Sequence, residues 1–248
     1  MRAAWRRLRA LDVANQIALG ALALSLITLA VNPLSSAYNN LFGNDTVAIE
    51  AKEMDHFCQA EWSVLAGNDQ LLPRLANSAD KDLARWEQQN RIAHRGLVVS
   101  LATVRGNAEK AAVLRDVTIT VLRRETLPAG LRAAPKQRGC GGAPRPEAVG
   151  VNLDLLAVGR PVSVTTLAGK PGQRAAAKEA ADYGDPVALP HTLTADDVYS
   201  LFLIGMTERF DCSWQATFSW WDGEESRETV VNNEGRPFRV IADPRAAS

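Results

Sequence analysis

The sequence predicts a mainly β protein, an antiparallel β-sandwich carried behind one N-terminal transmembrane helix. Three observations predict it. No charged side chain occurs between Asp12 and Asp45, and Val13 to Val31 is almost wholly apolar. Beyond Gly96 the apolar residues recur at period two in short runs, the spacing of half-buried strands. Turn-forming residues separate those runs, and the long strand–helix–strand alternation of a parallel sheet is missing from the pattern.

The apolar segment comes first. Nineteen helical residues rise roughly 28 Å at about 1.5 Å each, close to the hydrocarbon thickness of a bilayer. Asn15 and Gln16 sit in the first turn, within reach of headgroups, and Pro33 stops the helix. Arg2, Arg6, Arg7 and Arg9 lie on one side only, and the next basic residue is Lys52. The positive-inside rule therefore places 1–12 in the cytoplasm, 13–31 in the membrane, 32–44 as a tether, and 45–248 outside the cell. Two other readings stay open. Ser35-Ser36-Ala37 offers small residues for signal-peptide cleavage after Ala37; the other is a buried helix of a soluble domain, which rarely runs so long without a charge.

The outer part reads as a chain of strands. Thr46–Ala51 puts Val47, Ile49 and Ala51 on one face, and Phe57–Leu65 is a second run. Residues 79–95 read as a short helix: Asp80 and Asp82 in the first turn, His94 and Arg95 in the last, Gly96 behind, and Leu83, Trp86, Asn90 and Ala93 sharing one face. Strands are expected at 98–104, at 113–122 with Val117, Ile119 and Val121 inward, along 149–155, at 162–167 and at 198–204. Cys212–Trp220 alternates most cleanly, with Trp214, Ala216, Phe218 and Trp220 opposite Ser213, Gln215, Thr217 and Ser219. It turns through Asp222–Glu225 into 227–231, and Asn233-Glu234-Gly235 leads into 238–241. Residues 128–148 and 168–190 are expected to be long surface loops. Eight or nine short, half-buried strands make the expected architecture immunoglobulin-like.

Composition excludes some functions. Lysine plus arginine balances aspartate plus glutamate at 28 each, and no basic stripe with interleaved aromatics appears, so no nucleic-acid partner is expected. There is no GxSxG, phosphate-binding glycine loop or HExxH, and the histidines His56, His94 and His191 are far apart. No catalytic residue, cofactor or metal ligand is predicted. His56-x-Cys58 reads as one step of a strand and Asp196-Asp197 as a solvated turn. Asn44-Asp45-Thr46 is a glycosylation sequon only in a glycosylating host.

Three cysteines, Cys58, Cys140 and Cys212, in an exported domain allow at most one intrachain disulfide. Cys140 lies between glycines that let its loop approach closely, and Cys212 opens the tryptophan strand. A Cys140–Cys212 bond would close a loop of about 70 residues and contribute about 2–4 kcal/mol. Trp214 and Trp220 are expected inside. Trp221 breaks the alternation beside the turn and is the candidate binding surface.

Several blocks together resemble a group of uncharacterised, membrane-anchored actinobacterial proteins. They are Trp86, the run from Ala112 to Arg124 (AVLRDVTITVLRR), Cys140-Gly-Gly, Val151-Asn-Leu-Asp-Leu, Leu189-Pro-His-Thr-Leu-Thr, Asp211-Cys-Ser-Trp and Gly235-Arg-Pro-Phe-Arg. The resemblance covers about 86–240 and implies one membrane helix, an exported β-rich domain, and no residues of assigned activity. Such proteins carry Cys-x-Cys where this chain has Phe210-Asp-Cys212, which makes Cys58–Cys212 the rival pairing.

These readings together lead to an expectation of a non-enzymatic binding or scaffolding module of the cell envelope. Its partners would be the lipid bilayer through 13–31 and an envelope protein or polymer. An envelope hydrolase with a site dispersed among loops is the alternative.

Overall fold

The computed structural model describes residues 46–54, 61–75, 77–106, 111–134, 146–167, 169–195 and 197–243. The expected membrane helix, the tether, the first two residues of the sequon, His56, Cys58 and Cys140 all lie outside these. Among the described residues no helix is long and apolar enough to cross a membrane.

The protein is mainly β. In chain order the strands are β1 (Val47–Glu53), β2 (Trp62–Val64), β3 (Ile92–Arg95), β4 (Leu97–Gly106), β5 (Ala112–Thr126), β6 (Arg132–Ala133) and β7 (Glu147–Asn152). They continue as β8 (Val162–Ser163), β9 (Asp185–Pro186), β10 (His191–Leu193), β11 (Val198–Met206), β12 (Phe210–Trp221), β13 (Ser226–Val231) and β14 (Phe238–Ile241). Among the described residues four short helices, α1 (Leu72–Leu75), α2 (Asp80–Gln88), α3 (Val164–Leu167) and α4 (Arg174–Ala180), interrupt them.

Two sheets share one core. The first runs β1-β4-β11-β7-β9, and the second β10-β5-β12-β14-β3-β2-β6, with β13 beside β12 and β8 beside β5. Val98, Ala102 and Val104 of β4 and Leu201 and Leu203 of β11 meet Val117, Ile119 and Val121 of β5 and Trp214, Phe218 and Trp220 of β12. The inward residues of β12 are those its alternation predicts, and all four are buried. Gly205 of β11 is required by this packing. A Cβ there would stand 2.7 Å from the Trp214 indole, so the tryptophan of one sheet lies directly on the backbone of the other.

The sheets are mixed, which corrects the purely antiparallel expectation. β7 runs parallel to both β11 and β9, and β14 parallel to β3. Parallel strands need crossover connections and cover on both faces. The expected 168–190 loop supplies that cover: it contains α4, whose Ala176 and Ala180 close over Gly150 of β7. A Cβ at Gly150 would meet the Ala176 carbonyl at 2.1 Å. Four consecutive residues of β7, Ala148–Val151, are accordingly buried, and Leu153–Leu155 forms a 3-10 turn instead of continuing the strand. Residues 162–167 likewise divide into β8 and α3.

The expected helix over 79–95 ends early. Asn90 takes a positive φ of 54° and Arg91 N–H bonds back to the Trp86 carbonyl, so the chain leaves the helix and enters β3. Leu83 and Trp86 face a second core with Trp62, Val64, Leu71, Leu75 and Ile92. Asn90 is exposed, and Ala93 belongs to the strand.

Gly205→Ala is expected to lower stability by about 1–3 kcal/mol through overpacking against Trp214. Gly169→Ala, where a Cβ meets nothing within 4 Å, should change it by under about 0.5 kcal/mol. Urea unfolding midpoints of the two variants check this; equal effects would contradict the close approach.

Candidate functional site

The described residues bring one acid–histidine cluster together: Glu53, Glu87 and His94, each with a ligand-type atom within 4.8 Å of the others. Glu53 ends β1 and continues the inward parity of Val47, Ile49 and Ala51, so its carboxylate is carried into the protein (3% exposed). His94 lies in β3, where all four residues are buried, with 1% exposed. Glu87 reaches in from α2, beside Trp86, and is only partly buried.

Neighbours fix the geometry. Trp62 is the cross-strand partner of His94, and its ring packs against the imidazole at 4.0 Å, tilted by 32°. Asn233, in the turn before β14, donates from Nδ2 to Glu53 Oε2 at 2.7 Å. His94 Nε2 lies 3.7 Å from the same oxygen. The carboxyl groups of Glu53 and Glu87 stand within 4.8 Å of each other, close enough to hydrogen-bond when one of them carries a proton.

Burial sets the charge states. It draws the His94 pKa down to about 3, so the ring is neutral near pH 7. Burial also raises Glu87 above its ordinary 4.5, opposed by the Glu53 hydrogen bond and by the charges of Arg236 and Arg239. Arg239 is itself committed elsewhere: it makes two bonds to Asp211, at 2.9 and 2.6 Å, and a third to Asn90 Oδ1. Next to His94 in β3, buried Arg95 bonds Glu61 at 2.5 Å and lies 3.8 Å from Asp243. Chemically, two carboxyl groups and a neutral imidazole can share a proton or ligate a cation. With Glu53 and His94 almost fully covered and Glu87 partly so, they do not form an open cleft for a substrate.

The cluster lay outside the sequence reading, which placed His94 at a helix end. The available signal was parity: Glu53 continues the apolar face of β1. Glu87 carried none, because a glutamate in an exposed-looking helix is ordinary.

The residues singled out from sequence fall elsewhere. Cys212 is a fully buried free thiol, 3.9 Å from Thr207 Oγ1, and burial pushes its pKa up. Cys140 and Cys58 are outside the described residues, so neither expected disulfide is described. Trp214 and Trp220 are buried, as expected. Trp221 is half-buried, opposite Val113 and Ser226, with the Arg115 guanidinium 5.0 Å from its ring centre. Asp197 accepts bonds from the Thr194 backbone N–H and hydroxyl in an exposed turn, as a solvated turn would.

A separate, mostly apolar cavity of about 300 Å³ lies between β7, α3, α4 and residues 184–189. Its one amide side chain, Gln173, is spent on both backbone groups of Asn152, at 2.8 and 3.0 Å.

No protein-family model and no curated protein matches the chain. The chain is similar to a solved X-ray structure, Northeast Structural Genomics Consortium target SoR45, at 12% identity and a TM-score of 0.30. The match covers 81% of this chain and 89% of that one. At that similarity the likeness carries nothing about fold or activity.

The two shifted groups make opposite pH predictions. His94 has a folded pKa below its ordinary 6.5, so its contribution is complete above pH 6.5 and is lost as pH falls towards 3, at up to about 1.4 kcal/mol per pH unit. Glu87 has a raised folded pKa, so its contribution is complete below pH 4.5 and is lost as pH rises through the raised value. In urea midpoints measured from pH 3.5 to 7.5, His94→Gln should flatten the acid-side loss, and Glu87→Gln the loss on raising pH above 4.5. Unchanged profiles in both variants would contradict the assignment.

Proposed function

We propose that the chain is a single-pass membrane protein whose β-sandwich domain, residues 45–248, works outside the cell as a binding or scaffolding module rather than an enzyme. The membrane part of this reading rests on the charge-free segment 13–31 and the four arginines before it. The non-catalytic part rests on one observation. The acid–histidine cluster that a hydrolase would need has Glu53 and His94 almost fully covered and the Trp62 ring packed on the imidazole, so two of its three acid–base groups are closed to a substrate.

Binding then falls to the surface. Trp221 at the end of β12 is half-buried with the Arg115 guanidinium stacked over its ring, a cation on an aromatic base suited to an envelope polymer or protein.

Alkaline phosphatase fused after residue 248 should be active in cells and lose activity when 13–31 is deleted; an inactive fusion of the intact chain would overturn the orientation. N-terminal sequencing that begins at Tyr38 would replace the anchor with a cleaved signal. Trp221→Ala should leave stability within about 1 kcal/mol and reduce retention of the full chain on isolated cell wall. Unchanged retention would remove Trp221 from the reading.

A further inference from the structure

We propose that Glu53, Glu87 and His94 form a structural site for one divalent transition-metal ion of the zinc class. The inference uses the same cluster as the functional reading but does not depend on the membrane assignment.

Three lines of geometry carry it. The ligand atoms lie within 4.8 Å of one another, so each can stand about 2.8 Å from a common point; a shift of under about 1 Å brings them to the roughly 2.0–2.2 Å that zinc takes to imidazole nitrogen and carboxylate oxygen. They come from three separate elements, β1, α2 and β3, so one ion would tie an edge strand of the first sheet to a helix and a strand of the second core. Their surroundings are built as a supporting shell: Asn233 Nδ2 orients Glu53 at 2.7 Å, and the Trp62 ring at 4.0 Å sets the imidazole plane.

The donor set selects the metal. One neutral imidazole and two carboxylates suit zinc and its first-row neighbours. Calcium requires six to eight oxygen ligands, and a nitrogen donor among three does not provide them. Three protein donors would leave the fourth position of a tetrahedral ion to water, and the near-complete burial of Glu53 and His94 keeps the ion from a substrate, so its role is structural. Both carboxyl groups would ligate as anions, so any proton that either carries is released on binding.

The test uses the full chain in detergent, stripped of metal with a chelator and titrated with Zn2+, Ca2+ or Co2+. One Zn2+ per chain should bind and raise the melting temperature, and Ca2+ should leave it unchanged. Glu87→Gln, checked for folding by circular dichroism, should weaken Zn2+ binding at least tenfold, and His94→Gln likewise. Co2+ should give visible absorption bands of a nitrogen–oxygen site without thiolate charge-transfer absorption. Absence of stoichiometric Zn2+ binding, an equal response to Ca2+, thiolate bands, or unchanged affinity in Glu87→Gln would each overturn the site. The wild-type cobalt spectrum decides even where His94→Gln fails to fold.

Discussion

The indole of Trp214 occupies the space where a side chain at position 205 would stand, and the spacing of the two sheets follows from that contact. Trp214 reaches it because β12 changes register against β5 between Ser213 and Trp214, and again between Ser219 and Trp220. Such irregularities bend a strand and re-aim its side chains. The β5–β12 ladder, from Phe210–Thr126 to Trp221–Val113, then fixes where Phe218 and Trp220 enter the core. The indole N–H groups of Trp214 and Trp220 find no hydrogen-bond acceptor among the described residues. Each costs roughly 1–3 kcal/mol. Burying roughly 150–250 Å² per ring at about 25 cal/mol/Å² contributes roughly 4–6 kcal/mol, so packing outweighs the lost bond.

The strands that face one core were readable from the sequence, because period-two alternation is a direct record of one wet and one dry face. β5 and β12 fall where the pattern puts them. The alternation fails where a strand is covered on both sides. β7 is buried along Ala148–Val151, and its parallel partners follow from a crossover that local pattern does not encode. The covering helix did leave a trace: Arg174-Ala-Ala-Ala-Lys-Glu-Ala is rich in strong helix formers, with Ala176 and Ala180 one turn apart. The helix over 79–95 was half right, because charge placement signals a helix start better than the left-handed turn at Asn90 that ends this one.

The acid–histidine cluster was the least readable part. Glu53, Glu87 and His94 meet only because β1 pairs with β4 while β3 is held between β2 and β14. Two of those pairings, β1–β4 and β3–β14, join strands that are not consecutive in the chain. Each ionisable group is also read from sequence as surface, since charged residues are rarely buried. Their burial costs free energy, offset by the Asn233 hydrogen bond to Glu53 and by the Trp62 ring packed on His94.

The second sheet is joined across its middle by four residues. β14 lies between β12 and β3, and in the strand order it is the only link between the part built on β5 and β12 and the part built on β2, β3 and β6. It comes last among the described strands, almost 150 residues after the partner it completes. Phe238–Ile241 is thus a keystone: until it is laid, β3 lacks a neighbour on one side and His94 stands at an open edge. A chain shortened by little more than its last ten residues would keep most of its core-forming side chains and still lose a continuous sheet.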